Sequence, residues 1–171
     1  MYSPPLYSAS MKHNVAIALG SNIGDAAANV QSAFKRLAPL LDNARLSKLY
    51  SSAPMYHTDQ DQFVNAVAFG SSDITPTDLL NKLKNIEKEL GRNETFRNGP
   101  RVIDLDVLFY GAVMMQSENL QIPHPRMDER PFVLIPLREL CPDWPHPRTG
   151  RTVAQMCERL HWDPRDLHEL A

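Results

Sequence analysis

Two aspartates separated by one residue, Asp104 and Asp106, lie within an apolar run that continues to Tyr110. If this run is a β-strand, both carboxylates project from one face, about 6.6 Å apart along the strand. The opposite face then carries the apolar side chains of Ile103, Leu105, Val107 and Phe109. Two carboxylates in an apolar run are costly unless a cation accompanies them. Carboxylate oxygens suit a divalent metal, most simply Mg²⁺, so the pair predicts a metal site.

Two arginines, Arg97 and Arg101, precede the aspartate pair in a loop that also contains Gly99 and Pro100. The planar guanidinium group offers several donors that match phosphate oxygens. Arginines beside a metal are therefore typical of a site that handles a polyphosphate. The alternative is a solvated strand face on which the aspartates form surface ion pairs, and the neighbouring arginines favour the polyphosphate site.

The chain has 171 residues, of which 43% are hydrophobic and 22% are charged, an ordinary globular composition. We expect a flexible leader over residues 1–13 and one domain over residues 14–171. The formal net charge of -2 does not favour nucleic acid or an acidic membrane as a partner. No apolar run approaches the roughly 20 residues that span a bilayer, and the first ten residues do not resemble a secretory signal.

The only two cysteines are Cys141 and Cys157, and they form no close metal-binding pair. Reduced thiols in a cytoplasmic protein are the simpler interpretation, and a disulfide between the two is the alternative. We expect a monomer whose partners are small molecules.

The hydrophobic periodicity predicts strands over residues 14–19, 44–50 and 63–69, before the aspartate strand. A first helix begins after Asp25, and a second begins at the Thr75 cap and ends at Gly91. The order βαββαβ is typical of a ferredoxin-like α+β fold with an antiparallel sheet, in which the aspartate strand lies beside the first strand. The helices would cover one face of this sheet. An additional strand over residues 120–122 and helices over residues 132–140 and 153–160 follow toward the C-terminus.

Two polar residues fall on otherwise apolar faces. Asn65 shares a strand face with Phe63, Val67 and Phe69, and its buried amide needs partners, either backbone groups or a planar heterocycle. Glu87 lies at the edge of the apolar stripe of the second helix, where it pairs with Lys84 or Lys88, or faces a ligand. The turn over residues 20–24 lacks the spacing of a P-loop or a dinucleotide fingerprint, so a tight strand-to-helix turn is the better interpretation.

The basic loop and the aspartate strand together read Arg97-x-Gly99-Pro100-Arg101-x-x-Asp104-Leu105-Asp106-Val107-Leu108. This pattern resembles the signature of the 6-hydroxymethyl-7,8-dihydropterin pyrophosphokinase family, enzymes of folate biosynthesis. Further segments agree with that family in order and spacing: Leu19-Gly20-Ser21-Asn22, Phe63-Val64-Asn65-Ala66, Leu90-Gly91-Arg92, and Ile122-Pro123-His124-Pro125 followed by Arg130-Pro131-Phe132. The resemblance covers about residues 14–160.

The resemblance implies an ATP-dependent diphosphotransferase with a ferredoxin-like fold that moves pyrophosphate from ATP to the pterin hydroxymethyl oxygen and releases AMP. It implies that Asp104 and Asp106 bind two Mg²⁺ ions, and that these aspartates with Arg92 and Arg101 are the catalytic residues. Nucleotide contacts are implied for Glu87, Arg92, Arg97, Arg101, Val107, His124 and Arg130. Pterin contacts are implied for Ser52, Ala53, Met55, Phe63, Asn65 and Phe132. Dihydropteroate synthase is implied as a functional neighbour.

The loop over residues 92–101, which would close over the site as a lid, departs from the family pattern. Asn98 stands where many bacterial members carry a tryptophan that closes over the pterin. Phe96 is a candidate substitute. The main rival function is a palm-type two-metal nucleotidyltransferase, which would need a third metal-binding carboxylate on a neighbouring strand. A ferredoxin-like RNA-binding module would instead need a basic sheet face with exposed aromatic residues.

Overall fold

The computed structural model describes residues 11–53, 61–92 and 99–171, and it contains eight strands within those ranges. The strands are β1 His13–Ser21, β2 Asp42–Leu46, β3 Tyr50–Ser52, β4 Phe63–Ser72, β5 Asp104–Tyr110, β6 Met115–Gln116, β7 Gln121–Ile122 and β8 Leu167–Glu169. The helices are α1 Ala26–Leu37, α2 Pro76–Glu89, α3 Pro131–Leu140 and α4 Val153–Glu158. Short 3₁₀ turns occupy Ala38–Leu40, Met127–Glu129 and Pro164–Asp166.

The main sheet has the strand order β5-β1-β4-β3-β8. Strand β2 also pairs with β4, but with a later part of it than β3 does. Each of these pairings is antiparallel, and β6 and β7 form a separate antiparallel pair. The protein is therefore a mixed α/β fold built on an antiparallel sheet. The aspartate strand β5 lies directly beside β1, as predicted.

The helix ends follow local sequence signals. The Asp25 side chain accepts the Ala28 backbone N–H at 3.1 Å, which satisfies a free donor at the start of α1. The Thr75 hydroxyl does the same for Asp78 at 3.3 Å at the start of α2. Gly91 follows α2 with φ of 92°, the left-handed conformation that glycine adopts at no steric cost. Both predicted N-caps and this glycine stop are confirmed.

Two apolar cores lie on opposite faces of the sheet. Helices α1 and α2 cover one face, where Val15, Ile17 and Leu19 of β1 are at most 1% exposed. Helices α3 and α4 cover part of the other face, where they bury Ala16 of β1 and Phe109 of β5. The second face is left uncovered toward the end of β1, and this is where a cavity forms.

The placement of Phe109 differs from the prediction. Leu105 and Val107 face α1 and α2, but Phe109 packs in the opposite core, where its ring stacks on Trp144 with 3.8 Å between centroids. The cause is a β-bulge: Ala16 pairs with Phe109 and Ile17 with Val107, so Leu108 is an extra residue between the two pairs. An extra residue reverses the side-chain alternation beyond it.

The predicted strand over residues 44–50 is two strands, β2 and β3. Ser47 interrupts the pairing, because its hydroxyl rather than its carbonyl accepts the Val67 backbone N–H, at 2.9 Å. The final strand β8 was not predicted, since three residues carry no usable periodicity. His13, which was assigned to the leader, begins β1 opposite Ser72, and residues 1–10 lie outside the described part of the chain.

Both cysteines are free thiols in the structure, so the disulfide alternative is not supported. Cys157 is buried and its thiol donates to the Leu134 carbonyl. Within the described ranges no helix has both the length and the apolar character that a membrane span requires.

Candidate functional site

The aspartate pair lies on the cavity face of the sheet. Asp104 is paired with Gly20 of β1, and Asp106 with Ala18. The two oxygens of Asp104 accept from different arginines, Oδ1 from Arg92 at 2.9 Å and Oδ2 from Arg101 at 2.8 Å. These three side chains are each 21–24% exposed, so the ion pairs are partly shielded from water. The predicted juxtaposition of Arg92, Arg101 and Asp104 is confirmed.

Asp106 lies on the same strand face as Asp104 and is likewise partly buried. Burial, followed by the negative charge of Asp104, raises the pKa of Asp106 to about 7. The two arginines donate to Asp104 rather than to Asp106. A divalent cation bound between the two carboxylates would supply the missing charge, and oxygen donors of this kind fit Mg²⁺. The residues present therefore fit a Mg²⁺ site.

Glu87 supports the site from α2. Its carboxylate is 3% exposed, and Oε2 lies 2.5 Å from the Arg92 guanidinium. Its Oε1 accepts the Leu105 backbone N–H at 2.8 Å, between the two aspartates. Lys84 also contacts this carboxylate at 3.3 Å, so the predicted pairing with Lys84 is confirmed. Glu87 is thus occupied by groups of the protein, and its predicted contact with nucleotide stays a prediction.

The start of β5 is fixed by the turn that follows β1. The Asn22 side chain accepts the Arg101 backbone N–H at 2.8 Å, and the Arg101 carbonyl accepts the Asn22 backbone N–H at 3.1 Å. Asn22 is 4% exposed. Asn22 belongs to one of the segments that resemble the family, but the sequence predicts no role for it. An amide side chain directly after a strand is the signal that could have pointed to this contact. Its partner, however, follows only from the pairing of β1 with β5.

His124 and Arg130 line the same cavity as the aspartates. The His124 backbone N–H donates to the Leu108 carbonyl at 2.8 Å, and its Nδ1 accepts the Arg126 N–H at 3.2 Å. Burial and the charge of Arg130 lower the pKa of His124 to about 4, so the imidazole is neutral at neutral pH. The second ring nitrogen then carries the proton and can donate to a ligand.

Arg130 stands directly before α3 and carries an unsatisfied donor. Its Nε is buried and has no hydrogen-bond partner among the described residues. Its guanidinium lies 5.7 Å from the centroid of the Phe132 ring. A buried N–H without an acceptor costs about 1–3 kcal/mol. An anionic ligand oxygen in the cavity would satisfy it.

The other end of the cavity is aromatic and neutral. The Asn65 side chain is 6% exposed and donates to the Ser52 hydroxyl at 2.7 Å, so its predicted face and burial are confirmed. Phe63 and Phe132 also line the cavity, and the Phe132 ring lies 5.7 Å from the Arg130 guanidinium. An aromatic ring suits the face of a flat heterocycle, and an amide that bonds to Ser52 among the described residues can read its edge.

One cavity connects the charged end and the aromatic end, and it encloses about 890 Å³ including the part open to solvent. The predicted site residues that line the cavity are Ser52, Ala53, Phe63, Asn65, Arg101, Asp104, Asp106, His124, Arg130 and Phe132.

Among the predicted contact residues, one is buried under helices and two lie outside the described residues. The Val107 side chain is 3% exposed and packs against α1 and α2, so a nucleotide could reach only its backbone. Met55 and Arg97, with the lid positions Phe96 and Asn98, lie outside the described residues. The third metal carboxylate that a nucleotidyltransferase needs is not found, since no group of three or more His, Cys, Asp or Glu suited to a metal occurs among the described residues.

A sequence profile of 7,8-dihydro-6-hydroxymethylpterin-pyrophosphokinase (HPPK) matches residues 16–142. A 2-amino-4-hydroxy-6-hydroxymethyldihydropteridine pyrophosphokinase from Synechocystis is 38% identical over 150 residues, which cover 86% of this chain and 76% of the relative. The enzyme of the same name from Aquifex aeolicus is 37% identical over 133 residues, covering 78% and 83%.

Longer proteins also match. Folic acid synthesis protein FOL1 from Dictyostelium discoideum is 44% identical over 142 residues, covering 83% of this chain but 22% of the relative. The chain thus spans about a quarter or less of the first such relatives. A Plasmodium falciparum HPPK-DHPS crystal structure, the A437G variant with STZ-DHP, superposes with a TM-score of 0.69 at 14% identity, covering 92% of this chain and 47% of that one. At that identity the likeness concerns the fold.

Proposed function

Since the chain belongs to the 7,8-dihydro-6-hydroxymethylpterin-pyrophosphokinase family, we propose that it transfers the β,γ-diphosphate of ATP to 6-hydroxymethyl-7,8-dihydropterin. The acceptor is the hydroxymethyl oxygen, and the products are AMP and the pterin diphosphate. The observation that carries this proposal is the single cavity with two unlike ends. The carboxylates and arginines at one end suit a polyphosphate, and the aromatic and amide groups at the other suit a flat heterocycle.

The charged end supports binding of ATP with magnesium. Asp104 and Asp106 would hold the metal, two Mg²⁺ ions in this proposal, and the metal would neutralise phosphate charge during transfer. Arg92 and Arg101 would exchange part of their contact with Asp104 for phosphate oxygens. Arg130 would offer a further phosphate oxygen its buried Nε–H, which has no partner in the described part of the chain, and neutral His124 would offer a second N–H.

The aromatic end supports binding of the pterin. Phe132 would stack on one face of its ring and Phe63 would contact it, while Asn65, held by Ser52, would read its hydrogen-bonding edge. Ala53 and Met55 complete the proposed pocket. The neutral surroundings of Asn65 favour an uncharged ring over a charged metabolite.

The reaction itself needs positioning and charge neutralisation more than proton transfer. The hydroxymethyl oxygen would attack the β-phosphorus in line, as AMP leaves from the opposite side. Arg92 and Arg101 are placed to absorb the charge that develops on the transferring group. Glu87 and Asn22 act indirectly, because they hold Arg92 and the backbone of Arg101 in place.

The strand order supports a finer description of the fold. The sequence β5-β1-β4-β3, with α1 and α2 on one face, corresponds to a ferredoxin-like βαββαβ core in which β2 and β3 together form the second strand. The pieces α3, α4 and β8 would be additions to this core, and the open face would be the substrate face.

Folate synthesis is the proposed setting of the reaction. Relatives named "Folate synthesis bifunctional protein" and "Folic acid synthesis protein" contain a region like this chain within a much longer protein. HPPK-DHPS structures share its fold. We take a dihydropteroate synthase as the proposed functional neighbour and the single chain as the proposed catalytic unit, since one chain supplies the whole described cavity.

Product analysis tests the proposal directly. The chain is incubated with ATP, MgCl₂ and 6-hydroxymethyl-7,8-dihydropterin, and the nucleotides and pterins are separated by chromatography. AMP formed in proportion to a pterin diphosphate is the expected result. Omission of the pterin is the control, and AMP or ADP formed at the same rate without it would refute the proposed acceptor.

A further inference from the structure

A glycine forms the floor of the cavity midway between its two ends. Gly20 of β1 pairs with Asn65 of β4 on one side and with Asp104 of β5 on the other. Residues directly opposite one another in neighbouring strands project from the same face. The row Asn65–Gly20–Asp104 therefore crosses the cavity, and its two polar ends lie about 10 Å apart, twice the spacing of adjacent strands.

The fold does not require glycine at this position. Gly20 lies outside the left-handed region that favours glycine, and among the described residues a Cβ built on it meets the Asn65 Oδ1 at 3.4 Å and the Phe63 Cδ1 at 3.9 Å, both ordinary contacts. Both contacts are with side chains assigned to the pterin pocket. Gly70 contrasts with it, because a Cβ there would lie 2.8 Å from the Asp42 carbonyl oxygen. Glycine in a strand interior also weakens the strand, so Gly20 has a cost that no close contact within the described residues explains.

The residues of β1 on this face differ in whether helices cover them. Ala16 is fully buried under α3 and α4, whereas Ala18 and Gly20 line the cavity. A residue that α3 does not cover and that lacks a side chain leaves room directly above the strand backbone. That room lies on the path from the amide at Asn65 to the carboxylates.

We propose that Gly20 determines acceptor specificity by letting a flat bicyclic heterocycle lie close to the backbone of β1. This inference rests on the proposed function. The ring lies over Gly20 with its edge at Asn65, and its hydroxymethyl arm extends toward Asp104. Any side chain at position 20 lifts the ring from the strand and moves the reacting oxygen away from the carboxylate end. The nucleotide, which is held at the other end, is not affected.

The test compares Gly20→Ala with the wild-type chain in three measurements. The KM for 6-hydroxymethyl-7,8-dihydropterin is expected to rise about tenfold or more, which corresponds to about 1.4 kcal/mol of overpacking. The Kd for ATP with Mg²⁺ is expected to stay within about twofold of the wild-type value, well below a tenfold change. The melting temperature is expected to be equal or higher.

Two further variants sharpen the result. Gly20→Val should remove detectable pterin binding in calorimetry but leave ATP binding in place. Gly150→Ala is the matched control, because Gly150 has φ of 71° with no atom within 4 Å of a built Cβ. It should lower the melting temperature and leave the pterin KM unchanged.

The outcomes separate this inference from the proposed function. A Gly20→Ala variant with a wild-type pterin KM would overturn the role of Gly20 alone. Parallel losses of melting temperature and ATP affinity would instead mean that Gly20 is structural, which also overturns it. If the wild-type chain forms no pterin-dependent AMP, both the proposed function and this inference fail.

Discussion

Glu87 and Arg92 form the closest ion pair at the described site, with 2.5 Å between Oε2 and the guanidinium nitrogen. The same carboxylate accepts the backbone N–H of Leu105, so one acidic group of α2 fixes both an arginine and the strand that carries the aspartates. Buried charges arranged in this way are strongly destabilised when one partner is removed. The site therefore depends on a residue that does not line the cavity.

Glu87→Gln is expected to lower the rate of AMP formation about tenfold or more and the free energy of unfolding by about 1–3 kcal/mol. The amide oxygen can still accept from Leu105, but it no longer balances the charge of Arg92. Steady-state kinetics and urea unfolding measure the two effects. Glu89→Gln is the matched control, because Glu89 is 59% exposed in its pair with Arg36 and should change neither. A full rate in Glu87→Gln would contradict the positioning role.

Asp106→Asn is expected to raise the melting temperature of the metal-free protein and abolish turnover. The amide removes the repulsion between two partly buried carboxylates on one strand face, which is expected to raise the free energy of unfolding by about 1–3 kcal/mol. It also removes a carboxylate from the proposed metal site, so the rise in melting temperature that MgCl₂ gives the wild type should disappear. Thermal unfolding with EDTA and with MgCl₂ measures this, and exposed Asp166→Asn is the control. Mg²⁺-dependent turnover in Asp106→Asn would exclude the proposed metal role.

Arg130→Leu is expected to weaken binding of ATP with Mg²⁺ about tenfold or more, because hydrogen bonds to charged groups contribute about 1.5–3 kcal/mol. Stability should be unchanged or higher, since the substitution deletes a buried donor that has no partner in the described protein. Calorimetry gives the Kd for ATP. Arg36→Ala, on the exposed surface of α1, serves as the control for loss of a positive charge. Equal ATP affinity in Arg130→Leu and wild type would refute the phosphate contact.

His124 is expected to make stability fall as the pH drops from 6.5 toward 4. Its pKa is lowered from 6.5 to about 4, mainly by burial and then by Arg130, so between these values the unfolded chain binds a proton that the folded chain does not. Stability is therefore present above pH 6.5 and lost through this window, by about 2–3 kcal/mol at about 1.4 kcal/mol per pH unit.

Urea unfolding from pH 4.5 to 7.5 measures this dependence in wild type and His124→Gln. The difference between the two curves isolates His124 from Asp106, whose raised pKa acts in the opposite direction. The difference should grow with pH up to about 6.5 and then level off. A difference that does not depend on pH would mean that the imidazole is not desolvated in the folded state.

The chemistry-bearing residues could be read from the sequence because their signals are local. Alternation along one strand places Asp104 and Asp106 on a common face, and the caps Asp25 and Thr75 act within three residues of themselves. The resemblance then identified residues far apart in the chain that the fold brings to one cavity. Short-range geometry and a specific motif were enough for these.

Contacts between distant segments could not be read in this way. The amide of Asn22 against the backbone of Arg101 and the carboxylate of Glu87 against Leu105 depend on strand and helix neighbours that only the fold provides. The bulge at Leu108 turns Phe109 onto Trp144, and the Ser47 hydroxyl divides a predicted strand in two. Each is a case in which tertiary packing overrides local periodicity.

The sequence alone determined which groups can do chemistry, because residue type and strand alternation set the identity and direction of the aspartates, arginines and the Asn65 amide. Tertiary structure alone decided how they are balanced. It gave Arg92 two acidic partners and left the Arg130 Nε without a hydrogen-bond partner in the described chain. It also placed the bare backbone of Gly20 between the two ends of the cavity. Charge compensation and free space are properties of packed neighbours, and a linear pattern does not contain them.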